Sequence, residues 1–140
     1  MPRVTASREL LAPLDDVWAF VAEPYNLPLW WPRLGGVQPD RRGLAPGARW
    51  LVTGDTRPSL VRRPEAVGHV LVLAVEPKRR IELRFTGDQL GVDLRLETTS
   101  AERTTATLEV EGRWLIGLSR GLPRQALNRL YGLCQTGAEP

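Results

Sequence analysis

Hydrophobic residues near the start of the chain recur with the spacing of a helix. The apolar residues at positions i, i+3, i+4 and i+7 are Leu14, Val17, Trp18 and Val21. One face of a helix through this segment is therefore apolar. Pro13 suits the first helical position, because its missing N–H removes no hydrogen bond there. The pattern predicts a short amphipathic helix that packs on the rest of the protein.

A tryptophan-rich turn follows this helix between two prolines. Pro24 is expected to end the helix, since proline cannot continue it, and Pro32 closes the turn. We expect Trp18 and Trp30 to be core residues, because amphipathic spacing and a proline-bounded corner account for them. Trp31 is adjacent to Trp30 and points elsewhere. It is expected either at the lip of a cavity or in an exposed patch.

The middle of the chain alternates between apolar and polar residues, which is typical of antiparallel strands with one face in water. Strands are predicted over residues 5–11, 48–53, 67–76, 80–85, 90–97 and 105–111. The segment 67–76 is apolar on both faces, so the sequence does not decide which face points toward the core. Residues 54–64 contain two prolines and are predicted to form a loop, and residues 86–88 and 99–102 suit hairpin turns.

A second amphipathic segment, from about Ser119 to Gln135, predicts a C-terminal helix. Its apolar sector is wider than a helix on a flat surface needs. Such a sector fits a helix that lies against a strongly curved sheet. Together the elements predict an α+β fold.

Several short motifs resemble the START-like, or SRPBCC, superfamily, which includes polyketide cyclases/dehydratases and birch-pollen-allergen-like proteins. The motifs are Ala12-Pro13, Val17-Trp18, the run 30–32 with Val37 after it, and residues 76–81. The resemblance can be followed over nearly the whole chain. It implies a single domain, residues 1–140, with a helix-grip fold: a curved antiparallel sheet of six to seven strands around a C-terminal helix, with two short helices after the first strand.

Composition limits the class of protein. The 140 residues suffice for one domain with its own core. No apolar run reaches the ~20 residues that span a bilayer, and the N-terminus lacks the apolar core of a signal peptide. A single cysteine, Cys134, suits a reducing cytoplasm. With one histidine and one cysteine, neither a zinc nor an iron–sulfur site is expected, and no cofactor is predicted.

Charge does not favour a nucleic-acid partner. The formal net charge is only +3, and all but Lys78 of the 19 basic side chains are arginine. The basic pairs fall in predicted turns, with acidic residues between them, rather than along one helix face. The expected partner is a small hydrophobic ligand, and the protein is expected to be a monomer or a homodimer with no membrane span.

The helix-grip arrangement is expected to leave an apolar cleft, since one helix cannot fill the hollow of a curled sheet. The sheet and both helical regions would supply its walls. The candidate ligand-binding residues are Trp18, Trp31, Trp50, Leu83, Phe85, Leu94, Leu127, Leu130 and Tyr131.

Candidate catalytic residues are few. Histidine is the side-chain type whose unperturbed pKa lies nearest neutrality, so His69 is the natural general acid or base to test, although a lone histidine is more often structural or exposed. Tyr131, at the edge of the helix's apolar sector, is the second candidate. Its alternative is a core tyrosine whose hydroxyl reaches solvent. Cys134 is expected to be a small buried hydrophobic residue.

Two functions remain open. The first is a protein that binds a lipid, an isoprenoid or an aromatic metabolite. The second is an enzyme similar to polyketide cyclases/dehydratases, in which the cavity folds a poly-ketone and a few polar groups assist ring closure. A weaker third alternative is a protein-binding surface formed by arginines and the tryptophan pair. The scarcity of polar groups at apolar strand positions favours binding, and whether the protein is an enzyme stays open.

Overall fold

A computed structural model describes residues 3–32, 34–54, 66–87, 89–112 and 121–138. Its strands are β1 (Arg3–Leu10), β2 (Leu34–Gln38), β3 (Arg49–Gly54), β4 (Ala66–Glu76), β5 (Arg80–Phe85), β6 (Leu90–Ser100) and β7 (Arg103–Gly112). They form one antiparallel sheet in the order β1-β7-β6-β5-β4-β3-β2. Its helices are α1 (Leu14–Ala22), a 3-10 turn (Pro24–Asn26), α2 (Leu27–Trp30) and α3 (Leu122–Ala138). The predicted helix-grip α+β fold is confirmed.

The start and end of α1 follow from its sequence. Pro13 precedes the helix with extended backbone, and Asp15 and Asp16 lie in the first turn, where the helix dipole favours negative charge. The helix ends at Ala22, and Pro24 opens the 3-10 turn. Val17 and Val21 are buried on the predicted apolar face, while Leu14 and Trp18 are partly buried against the core.

Alternation along the strands divides the sheet into two faces. We call the face with buried apolar side chains the inner face, and the opposite one the outer face. On β5, β6 and β7 the buried inner-face residues are Ile81, Leu83, Phe85, Leu90, Val92, Leu94, Leu96, Ala106, Leu108 and Val110. They form one core with Ala126, Leu127, Leu130 and Cys134 of α3. The C-terminal helix therefore packs on the inner face, as a helix-grip fold requires.

The structure shows which apolar residues of β4 face the core and where the strand bulges. Val70 and Val72 are buried opposite Phe85 and Leu83 of β5. The register then shifts between Val72 and Ala74, so one extra residue bulges. Leu73, at this bulge, is 48% exposed.

Some boundaries differ from those predicted. The β2 strand was not predicted, because its sequence Leu-Gly-Gly-Val-Gln contains two glycines and little alternation. β6 continues to Ser100, so the turn before β7 is shorter than the predicted 99–102. The described part of α3 begins at Leu122. The loop predicted over residues 54–64 lies outside the described residues from position 55 onwards.

Candidate functional site

An aromatic corner is formed where α2 meets the sheet. The backbone N–H of Trp31 donates to the Leu27 carbonyl at 2.8 Å and closes this single helical turn. The ring centroids of Trp31 and Phe85 are 4.9 Å apart, and Trp30 meets Trp31 edge-on with centroids 6.2 Å apart. Trp30 and Trp31 are each 2% exposed. The expected burial of Trp30 is confirmed, and the alternative of Trp31 in an exposed patch is wrong.

Trp30 carries a buried polar atom without a partner. Its indole Nε1 is the buried side-chain nitrogen or oxygen that has no hydrogen-bond partner among the described residues. Trp50, equally buried, donates its indole N–H to the Gly43 carbonyl at 2.8 Å. An unsatisfied buried donor costs about 1–3 kcal/mol. The corner therefore holds a buried hydrogen-bond donor that no described residue satisfies.

The sequence-predicted lining residues share the inner face but are tightly packed. Seven of them are at most 3% exposed: Trp31, Trp50, Leu83, Phe85, Leu94, Leu127 and Leu130. A side chain on the wall of a water-sized void would keep accessible surface, so these seven pack against protein atoms. Trp18 and Tyr131 are only partly buried. A ligand at this face would have to displace side chains.

His69 lies on the outer face of the sheet. Its neighbour Val70 is fully buried on the inner face, and adjacent strand residues point to opposite faces. The His69 backbone N–H donates to Thr86 Oγ1 at 2.8 Å, and its carbonyl accepts from the Thr86 N–H at 2.9 Å. Tyr131 is on α3, on the other side of the sheet. The structure therefore does not bring the two candidate catalytic residues together.

Tyr131 contacts an arginine that the sequence did not single out. The guanidinium of Arg8 lies 3.9 Å from the centre of the Tyr131 ring, close enough for a cation–π contact. Arg8 Nη1 also donates to Asn128 Oδ1. The signal in the sequence was a charged residue in register with the apolar positions of the first strand, which alternation alone could have revealed.

The inner face offers little acid–base chemistry. Within the described residues, Thr104 is the one buried polar side chain, and its hydroxyl donates to the Ala12 carbonyl at 2.9 Å. Burial, with a smaller contribution from the Asp16 carboxylate, raises the pKa of the Cys134 thiol to about 11. Cys134 is therefore a neutral thiol at physiological pH.

The described part of the chain lacks two further kinds of feature, a metal-binding cluster and a membrane-spanning helix. It contains no cluster of three or more histidine, cysteine, aspartate or glutamate residues that could hold a metal ion. None of its helices combines the length and the apolar character needed to cross a bilayer.

Comparison with solved structures supports the fold. The di-domain ARO/CYC BexL from the BE-7585A biosynthetic pathway superposes with a TM-score of 0.78 at 19% identity, over 100% of this chain and 48% of that one. A START superfamily protein from Mycobacterium smegmatis gives 0.71 at 10% identity, over 97% and 99%. DynU16, from the dynemicin biosynthetic locus, gives 0.65 at 24% identity, over 96% and 48%. At these identities the likeness shows the fold alone.

Sequence comparison shows the family. No curated protein sequence matches this chain. The family described as polyketide cyclase/dehydrase and lipid transport matches residues 1–131, which is most of the chain. The chain therefore belongs to the polyketide cyclase/dehydrase and lipid-transport family.

Proposed function

We propose that the protein binds a small, largely apolar molecule between the inner face of the sheet and α3. The ligand would be a lipid, an isoprenoid or an aromatic metabolite with at least one carbonyl or hydroxyl oxygen. The observation that carries this proposal is the unpartnered indole N–H of Trp30 in the aromatic corner.

The physical reason is the free-energy cost of a buried hydrogen-bond donor that has no acceptor. Trp30 Nε1 is buried and meets no acceptor among the described residues, so none of them uses its hydrogen-bonding capacity. A ligand oxygen placed at this atom would restore the bond. Because the neighbouring Trp31 and Phe85 rings are apolar, the same position favours a flat or aliphatic body next to that oxygen.

Apolar contact would supply most of the affinity, at about 25 cal/mol for each Å² removed from water. The predicted lining side chains are packed in the ligand-free protein, so binding requires that some of them move. α2 is only four residues long and is a natural place for that movement.

A matched pair of probes tests the Trp30 donor. Anthrone carries one ketone oxygen, and 9,10-dihydroanthracene has nearly the same shape without it. We expect the wild-type protein to bind anthrone more tightly, measured by quenching of tryptophan emission. Trp30→Phe should lower the ratio of the two affinities by about tenfold, the value of one buried hydrogen bond.

Trp50→Phe is the control, because the Trp50 indole N–H is already bonded to Gly43. It removes a similar ring volume but should leave the affinity ratio unchanged. If Trp30→Phe weakens both probes equally, Trp30 contributes only packing. If neither probe binds the wild-type protein, the proposed apolar site is wrong.

The second candidate is an enzyme similar to polyketide cyclases/dehydratases that acts on a poly-ketone or aromatic precursor. The family match favours it. In such an enzyme the same Trp30 donor would hold a substrate carbonyl, and the shape of the site would supply most of the rate by positioning the chain for ring closure. Binding is preferred because the described inner face offers a single buried polar side chain, Thr104, already engaged with the Ala12 carbonyl.

A further inference from the structure

One inner-face position of β1 departs from the apolar pattern. Val4 and Ala6 are partly buried against the core and Leu10 is fully buried, whereas the residue between them in this row is Arg8. A charged group at such a place loses hydration, and its cost is offset only by specific partners. Arg8 therefore needs an explanation that packing does not supply.

The partners of Arg8 fix its direction but leave its charge unbalanced. The guanidinium stacks on the Tyr131 ring and donates one hydrogen bond to Asn128 Oδ1. Both contacts are neutral groups, and no carboxylate is paired with Arg8 among the described residues. Because an arginine has five N–H donors in a planar fork, most remain free for an anion.

A second arginine nearby, Arg124, also lacks a negatively charged partner among the described residues. Arg124 lies in the first turn of α3, which contains no acidic residue. Arg124 is exposed and forms no ion pair among the described residues, so its charge too is available to an anion. Asn128 follows one turn later on the same side of the helix, and it is the residue that binds Arg8.

These groups surround one open cleft of about 500 Å³ between β1 and α3. Its polar side chains are those of Arg8, Arg124 and Asn128. Thr5 and Ser7 of β1 also border the cleft, but their side chains point to the outer face, where Ser7 Oγ bonds Thr107 Oγ1. None of the described residues that line the cleft is acidic. Ala6 adds a small apolar surface, to which Leu127, only 2% exposed, contributes little. The cleft thus combines the two arginine charges, the Asn128 amide and a small apolar surface.

A cleft on the outer face shows the contrasting arrangement. It has a volume of about 310 Å³ and also contains arginines, but four carboxylates share its wall. Arg3 bonds Glu109 at 2.8 Å, and Arg95 lies 3.5 Å from Asp93. That cleft neutralises its own charge, whereas the cleft between β1 and α3 does not.

We propose that the cleft between β1 and α3 is a binding site for a small anion, either a carboxylate or a phosphate, held by Arg8, Arg124 and Asn128. Two arginine forks match the oxygens of such groups, and the Asn128 amide can donate a further bond. This site is separate from the proposed apolar site at Trp30 and does not depend on it.

Titration with acetate and with inorganic phosphate, at constant ionic strength in chloride, tests the site. We expect saturable changes in the NMR amide signals of residues 5–8 and 124–128. If only the acetate titration saturates, the site binds carboxylates. If only the phosphate titration saturates, it binds phosphates, and if both saturate, it is a general anion site. Arg8→Gln and Arg124→Gln should each weaken binding by about tenfold, as the loss of a charge-assisted bond implies.

Arg129→Gln is the matched control, because it removes the same charge from an exposed position of α3 that does not line the cleft. It should leave binding within about twofold of wild type, since its exposed charge makes no direct contact with an anion in the cleft and is screened by solvent and salt. Arg124 is exposed, so its variant should fold even if Arg8→Gln does not. Signal changes that never saturate, or equal weakening by Arg124→Gln and Arg129→Gln, would overturn the proposal.

Discussion

The Asp40 carboxylate closes the connection between β2 and β3. One oxygen accepts the backbone N–H of Arg42 and the other accepts that of Arg49, both at 3.0 Å. These bonds favour the charged form, so the pKa of Asp40 is lowered from 3.8, with the Arg49 N–H as the largest cause. Because the folded pKa is lowered, the carboxylate stabilises the protein above pH 3.8, and this contribution is lost as pH falls through the folded pKa.

We therefore expect Asp40→Asn to lower the free energy of unfolding at pH 7, since the asparagine oxygen can keep only one of the two bonds. The difference from wild type should shrink as the pH falls below 3.8 and the wild-type carboxyl takes up its proton. Urea melts at a series of pH values measure this. Glu97→Gln serves as control, and a difference that does not depend on pH would contradict the assigned role.

At the scale of elements, one buried hydroxyl joins β7 to the chain entering α1. Thr104 is fully buried and donates to the Ala12 carbonyl at 2.9 Å. Thr107, on the same strand, bonds Ser7 Oγ near the surface. We expect Thr104→Val to destabilise the fold by about 1–2 kcal/mol, because it leaves a buried carbonyl unpaired. Thr107→Val should cost less than about 0.5 kcal/mol, and equal losses in denaturant melts would refute this distinction.

There is a physical reason why the sequence predicted some strands well and others poorly. β5, β7 and the part of β6 from Leu90 to Leu96 alternate strictly, so the period of two identified both their existence and their buried face. The last residues of β6, 97–100, are all exposed and do not alternate. β2 is held by pairing with β3 rather than by propensity, and β4 changes register at a bulge. Neither effect is local. The unpartnered Trp30 N–H likewise depends on which acceptors the whole fold brings near, and residue spacing does not encode that.

At the scale of the whole molecule, the sheet separates the two candidate catalytic residues. His69 is on the outer face, and Tyr131 is on α3 at the inner side. If the protein only binds its ligand, His69→Ala and Tyr131→Phe should leave the affinity for anthrone nearly unchanged. In an enzyme, loss of a general acid or base lowers turnover by about 10²- to 10⁴-fold. Turnover of a poly-ketone or aromatic precursor that depends on either residue would favour the enzyme.

The place of β1 in the sheet has a consequence for how the chain folds. Every other pair of neighbouring strands is consecutive in sequence, from β2 with β3 to β6 with β7. β1 alone joins a distant partner, so that Ser7 and Thr107 bond across 100 residues. During synthesis the first strand therefore emerges long before its partner, while the hairpins from β2 to β7 can form in turn. Pairing of β1 with β7 carries the largest loop-closure entropy, so we expect it to be a slow, late step of folding. Because α3 packs mainly against β1, the same step completes the surface on which α3 packs.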